Sequence, residues 1–112
     1  MNCIAISSHK SSYPTPIRLE PGDIVTVGRR DQEYPGWIWV ITSAGNEGWA
    51  PESHIRIGSL ETAVAKNAYT SRELDTQVGE YLSCKVELNG WLWVENVNGD
   101  SGWVPKTSVR AV

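Results

Sequence analysis

An internal repeat restricts the folds that this chain can adopt more than any other feature of its sequence. Residues 36–57 (GWIWVITSAGNEGWAPESHIRI) align without a gap with residues 90–111 (GWLWVENVNGDSGWVPKTSVRA), at a constant offset of 54. Residues 20–23 match residues 77–80 at an offset of 57, which indicates an insertion of three residues in a loop of the first copy. Such a repeat means two copies of one supersecondary unit. We therefore predict two domains, residues 1–58 and 59–112.

Each copy has the pattern of a small all-β domain. Residues 37–42 have an alternating pattern, with indole rings at 37 and 39 and aliphatic side chains at 38 and 40. Gly45-Asn46 and Asn98-Gly99 are typical of hairpin turns before strands that return at Gly48 and Gly102. No window shows a helical period long enough to compete. Short strands with turn signals every 8 to 12 residues or so predict a small barrel or sandwich.

The six tryptophans all belong to the repeat. Along a strand, Trp37 and Trp39 point to one face while Ile38 and Val40 point to the other. A barrel of about 55 residues has too little interior for several indole rings, so the aliphatic pair is the predicted core. The indoles that alternate with the core, Trp37, Trp39, Trp91 and Trp93, are then expected to form an exposed aromatic surface of the kind that marks an interface or a ligand groove.

These residues resemble the Src-homology-3 (SH3) domain, as a tandem pair that covers essentially the whole chain. Residues 16–23 (PIRLEPGD) are similar to the family segment ELSFKKGD, and Gly36-Trp37 with residues 48–55 (GWAPESHI) is similar to the family segments WW and GYIPSNYV. The resemblance implies two five-stranded barrels. It also implies a long loop between the first two strands and a shallow aromatic groove for extended ligands.

The resemblance also implies two sets of ligand-binding residues. The first set is Trp37, Pro51, His54 and Tyr13, and it places His9 along the same groove. The second set is Trp91, Pro105, Tyr69 and Glu73, with Asp75 nearby. In this family, loop acids pair with a ligand arginine. The second groove is therefore the predicted site for a proline-rich segment that contains arginine, and the first for an uncharged or acidic extended peptide.

The roles of the other four tryptophans stay open at this stage. Trp39 and Trp93 are candidates either for an interface between the two copies or for ligand contact. Trp49 and Trp103 each follow a glycine on the returning strand, and they either pack on their barrel or contact the ligand.

The sequence gives no sign of catalysis. Cys3 and Cys84 have strand-like apolar neighbours and are predicted to be small buried thiols, without a CxxC spacing. No acid–base carboxylate pair and no phosphate-binding glycine pattern occurs. Two histidines, His9 and His54, are too few for a zinc site. We predict that the chain is not an enzyme and needs no metal or cofactor.

Charge and hydropathy limit the partners. The formal net charge is −3, with 10 basic and 13 acidic residues, so no basic face for nucleic acid is expected. No apolar run reaches the length of a membrane span, and the first residues lack the pattern of a secretory signal. We predict a cytoplasmic monomer that binds a protein or peptide. Two alternatives remain: a cell-wall (peptidoglycan) binding module of the same fold, and a structural adaptor whose aromatic face is buried against a partner subunit.

Overall fold

A computed structural model describes residues 1–12 and 15–112 of the chain. The strands of these residues are β1 (Asn2–Ala5), β2 (Arg18–Leu19), β3 (Ile24–Arg30), β4 (Trp37–Ile41), β5 (Glu47–Pro51), β6 (Ile55–Ile57), β7 (Thr62–Ala65), β8 (Tyr69–Thr70), β9 (Tyr81–Leu88), β10 (Trp91–Glu95), β11 (Ser101–Pro105) and β12 (Val109–Ala111). Two single-turn 3₁₀ helices, Glu52–His54 and Lys106–Ser108, precede β6 and β12. Within these two ranges, no helix is long and apolar enough to cross a membrane.

One compact unit, which we call the central barrel, is the continuous segment Thr15–Ser71. Its main sheet has the strand order β5-β4-β3-β7-β6, with antiparallel neighbours, and β2 and β8 form a separate two-stranded ribbon. Alternation along β4 buries Ile38 and Val40, as their apolar side chains require. The all-β fold predicted from the sequence is confirmed.

The other compact unit, the terminal barrel, combines Met1–Pro14 with Arg72–Val112. Its sheet has the strand order β11-β10-β9-β1-β12. This order repeats that of the central barrel, with β1 in the place of β7. The core of the terminal barrel is a cluster of small and aliphatic side chains: Cys3, Ala5, Leu74, Leu82, Cys84, Leu92, Val94, Val104 and Val109.

The compact units differ from the predicted division at residue 58, because the two copies exchange their first strands. β1 pairs with β9 and β12, and β7 pairs with β3 and β6. The two strands share one burial pattern, so either fits either barrel. β7 follows β6 after a short turn, and the β6–β7 hairpin therefore closes at a small entropic cost. This local pairing leaves the terminal barrel to be completed by β1.

The two cysteines form a disulfide, which corrects the prediction of two buried thiols. Cys3 on β1 is bonded to Cys84 on β9, with 6.4 Å between their Cα atoms and a sequence separation of 81. Both residues are buried, as predicted. No spacing in the sequence indicates the bond, because exchange of the first strands is what brings the two residues together. The bond joins the first strand to the terminal barrel.

Candidate functional site

Each barrel places a tryptophan directly opposite a proline on neighbouring strands. Trp37 on β4 is paired with Pro51 on β5, and Trp91 on β10 is paired with Pro105 on β11. The register follows from the core alternation, which turns Ile38 inward and Trp37 to the other face. The structure therefore brings together the two Trp–Pro pairs on which both predicted grooves were based.

The pair in the central barrel is covered by two further rings. The Tyr69 ring lies 6.4 Å from the Trp37 ring between centroids, and 5.9 Å edge-on from the His54 ring. The Tyr69 hydroxyl donates a hydrogen bond of 2.9 Å to the backbone carbonyl of Trp49. Trp37 is only 5% exposed and Pro51 is fully buried. This set, Trp37, Pro51, His54 and Tyr69, is the central aromatic cluster.

The central cluster has a basic neighbour. Burial lowers the pKa of His54 below its ordinary value of 6.5, and the positive charge of Lys66 lowers the pKa further. The Nδ1 atom of His54 is buried without a hydrogen-bond partner. His54 is therefore held in its neutral form, and it packs as an aromatic ring.

The pair in the terminal barrel is more open and carries a carboxylate. Trp91 and Pro105 are both half-buried. The His9 ring stands edge-on to Trp91 at 5.6 Å between centroids. The His9 Nε2 atom is 2.7 Å from Glu73 Oε1, and the two side chains are only 13% and 11% exposed. This set, Trp91, Pro105, His9 and Glu73, is the terminal groove.

Strand exchange changes which predicted residues share a cluster. Tyr69, predicted beside Trp91, lies in the central cluster, and His9, predicted beside Trp37, lies in the terminal groove. Both sit just after an exchanged strand, so each is carried into the other barrel. Glu73 lies in the same barrel as Trp91, and His54 in the same barrel as Trp37. Tyr13 falls outside the described residues.

The position of His9 can be derived from the register of strand pairing, which the sequence does not show. The pairing Cys3–Leu82 matches the pairing Ala63–Val25, which sets β1 and β7 at an offset of 60. At that offset His9 and Tyr69 occupy equivalent positions. The repeat alone left the register of these two strands open, and it gave no sign of the exchange.

The expectation of an exposed aromatic surface holds only in part. Trp37 is buried, whereas Trp39, Trp91 and Trp93 are half-buried. The Tyr69 ring lies 6.4 Å from the Trp37 ring, although the predicted grouping had assigned Tyr69 to the other copy.

The remaining tryptophans form one cross-strand pair in each barrel. Trp39 and Trp49 are directly opposite, with edge-on rings 5.1 Å apart, and Trp93 and Trp103 are likewise opposite at 5.3 Å. Such pairs stabilise a hairpin and account for part of the role left open above.

In the central barrel a cation sits against this pair. The guanidinium carbon of Arg29 lies 4.9 Å from the Trp39 ring and 5.2 Å from the Trp49 ring. Trp39 Nε1 also donates a hydrogen bond to Glu47. The equivalent position in the terminal barrel is held by Val86, which is exposed. Sequence reasoning did not single out Arg29, since it is ten positions from Trp39 and outside every motif.

No metal-binding group of three or more His, Cys, Asp or Glu side chains occurs in the described part of the chain. The candidate sites consist of indole rings, a tyrosine ring, prolines, histidines and one carboxylate. Such groups bind by stacking, by hydrogen bonds and by charge pairing.

Two five-stranded barrels with a Trp–Pro pair on each define a protein of the small-barrel interaction class. The family described as Variant SH3 domain matches residues 2–58, slightly more than half of the chain, and the chain belongs to that family. The match covers the first sequence copy with β1 included. Searches of curated proteins and of solved structures give no match. The two five-stranded sheets are consistent with SH3-like barrels, and the SH3 domain is a non-catalytic interaction fold.

Proposed function

We propose that the chain is a non-catalytic module that binds an extended peptide segment in the terminal groove. The observation that carries this proposal is the half-exposed Trp91–Pro105 pair beside the Glu73 carboxylate. An indole and a proline offer a ridge for an extended, proline-rich backbone. The Glu73 carboxylate of the same set, 2.7 Å from His9 Nε2, favours a ligand with arginine. On this proposal the terminal barrel, Met1–Pro14 with Arg72–Val112, carries the main binding site.

The two barrels contribute unequally. Trp37 and Pro51 are buried, so the central cluster offers less surface for a ligand to cover. The positive charge of Lys66, which acts on His54, opposes a ligand arginine. The central barrel therefore serves as a weaker second site for an uncharged or acidic segment. Two sites on one chain raise the effective concentration of a ligand that reaches both.

The proposal includes a monomeric chain without cofactor, and a protein or peptide as its partner. A cytoplasmic location stays a prediction. The Cys3–Cys84 disulfide weighs against it, because such bonds persist mainly in oxidising compartments.

Indole NMR signals test the proposal directly. The chain labelled with nitrogen-15 has six indole N–H reporters, which would be followed during titration with proline-rich peptides with and without arginine. We expect the Trp91 signal to shift most, and the arginine peptide to bind about ten-fold more tightly, which corresponds to about 1.4 kcal/mol. Glu73→Gln should remove that preference. The matched variant Glu52→Gln, in the central barrel, should keep it.

Other results would favour the alternatives. Shifts with soluble cell-wall muropeptides alone would support the peptidoglycan-binding alternative. No shift with any ligand, together with a species larger than the 12.4 kDa chain on size exclusion, would support the structural adaptor. An arginine preference that survives Glu73→Gln would contradict the role of that carboxylate.

A further inference from the structure

The two exchanged strands are interchangeable in their hydrogen bonding. β1 and β7 have the same burial pattern, and small residues face each core. Four backbone hydrogen bonds recur at equivalent positions: Ala5 N to Glu80 O (2.9 Å) and Gly79 N to Ala5 O (2.8 Å) in the terminal barrel, and Ala65 N to Asp23 O (2.8 Å) and Gly22 N to Ala65 O (2.8 Å) in the central barrel. Returning each strand to its own sequence copy would therefore keep these pairings.

The disulfide is compatible with only one of these two arrangements. Cys84 is paired with Val94, and Val27 is paired with Val40, so Cys84 and Val27 hold equivalent core positions on β9 and β3. If β1 returned to the central barrel, Cys3 would face Val27. Ala63 on β7 would then face Cys84. The bond between Cys3 and Cys84 therefore exists only while the strands are exchanged.

The exchanged arrangement also needs an unfavourable turn. β6 and β7 are joined by a hairpin whose central residues, Leu60 and Glu61, both have positive φ, at 55° and 63°. Thr62 N donates to Ser59 O across this turn. Two consecutive positive φ values mark a type I′ turn, which prefers Asn-Gly over bulky residues. With the strands in their own copies this hairpin would not form, and the two residues would be relieved of that conformation.

We propose that the Cys3–Cys84 disulfide is a redox-controlled lock on the strand exchange. Reduction by a dithiol breaks the sulfur–sulfur bond. Each cysteine sulfur takes up one electron and one proton, and the dithiol becomes a disulfide. The reduced chain can then refold with β1 in the central barrel and β7 in the terminal barrel. The lock shifts the equilibrium between the two arrangements, because the bond stabilises the exchanged arrangement and contributes nothing to the other.

The rearrangement would change both clusters. Tyr69 follows β7 and would move from Trp37 to Trp91, and His9 follows β1 and would move in the opposite direction. Glu73 precedes β9 and would stay with Trp91. The terminal groove would then combine Trp91, Tyr69 and Glu73. That consequence for ligand binding rests on the proposed function, whereas the rearrangement itself does not.

Relocated cysteines test the lock without any ligand. In the full chain, Val27→Cys combined with Cys84→Val keeps Cys3 and conserves the total core volume. Its disulfide can form only if β1 enters the central barrel. The matched control carries Cys3→Ala, Cys84→Val, Val27→Cys and Ala63→Cys, and its disulfide can form only in the exchanged arrangement. Both would be refolded from denaturant in a glutathione redox buffer and mapped by mass spectrometry of non-reduced digests.

We expect a disulfide in both variants. A control that oxidises, beside a test variant in which both thiols stay free, would overturn the proposal. The unmodified chain provides a second measurement. When refolded with its disulfide intact, it should show a cross-peak between the Tyr69 ring and the Trp37 indole. When refolded in dithiothreitol, it should lose that cross-peak and gain one to Trp91. Retention of the Tyr69–Trp37 cross-peak alone after reduction would overturn the proposal even if the variants fail to fold.

Discussion

At the scale of single residues, close packing against Gly102 explains why a glycine precedes Trp103 on β11. A Cβ atom built on Gly102 would lie 2.6 Å from the backbone nitrogen of Leu74 and 2.8 Å from the carbonyl carbon of Glu73. The loop limb that carries Glu73 therefore crosses β11 in close contact, and Leu74 N donates to Trp103 O there. The sequence predicts a strand at this step. It does not reveal that a side chain at position 102 would displace the loop that carries the Glu73 carboxylate.

We expect Gly102→Ala to lower the free energy of unfolding of the terminal barrel by about 1 to 3 kcal/mol, because backbone atoms must move to admit the methyl group. Gly48→Ala is the matched control. Its Cβ would meet only side-chain atoms, those of Ile17 at 3.2 Å and Ser71 at 3.3 Å, which can shift at a smaller cost. Urea titration followed by the separate indole NMR signals measures each barrel. Equal losses of unfolding free energy in the two variants would show that the loop near Gly102 moves at little cost.

At the scale of elements, the hairpin turns divide into favourable and unfavourable sequences. The β9–β10 turn has Asn89 and Gly90 at positive φ, which is the combination that such a turn prefers. The β6–β7 turn places Leu60 and Glu61 in the same conformation. This turn holds the exchanged strand β7 against β6. Its sequence therefore opposes the pairing that the structure adopts.

Replacing the unfavourable turn should stabilise the exchanged fold. We expect Leu60→Asn with Glu61→Gly to raise the free energy of unfolding of the oxidised chain by about 1 to 2 kcal/mol, because bulky residues are relieved of positive φ. The reciprocal change, Asn89→Leu with Gly90→Glu, should lower it by a similar amount. Urea midpoints of the oxidised chains give both values. If the double substitution at Leu60 and Glu61 leaves the urea midpoint unchanged, the turn is unstrained.

The elements also show where sequence reasoning succeeds and where it ends. Local alternation suffices to predict that Ile38 and Val40 are core, whereas the grouping of Trp37 with Pro51 comes from the resemblance to the SH3 family. The partners of β1 and β7 are a different problem, because two strands with the same pattern fit two equivalent gaps. The assignment of Tyr69 and His9 depends entirely on that choice. Only contacts distant in sequence, such as the one between Cys3 and Cys84, decide it.

At the scale of the whole molecule, the sequence repeat and the compact unit are different segments of the chain. The family match spans residues 2–58 and includes β1, whereas the central barrel spans Thr15–Ser71 and includes β7. A segment of this size folds alone only with a nearly complete core. The two segments share β2 to β6 and differ only in which strand completes the sheet. They therefore serve as matched fragments.

We expect residues 15–71 alone to unfold cooperatively in urea and to keep the Tyr69–Trp37 cross-peak, because β7 supplies the strand that pairs with β3 and β6. Residues 1–58 should also fold, with β1 in the same place and His9 against Trp37, since the two strands are interchangeable. Circular dichroism and the three indole signals of each fragment measure both outcomes. If residues 15–71 stay unfolded while residues 1–58 fold, the sequence repeat is the folding unit and the exchanged pairing depends on the rest of the chain. If only residues 15–71 fold, β1 cannot replace β7, and the two strands are not interchangeable.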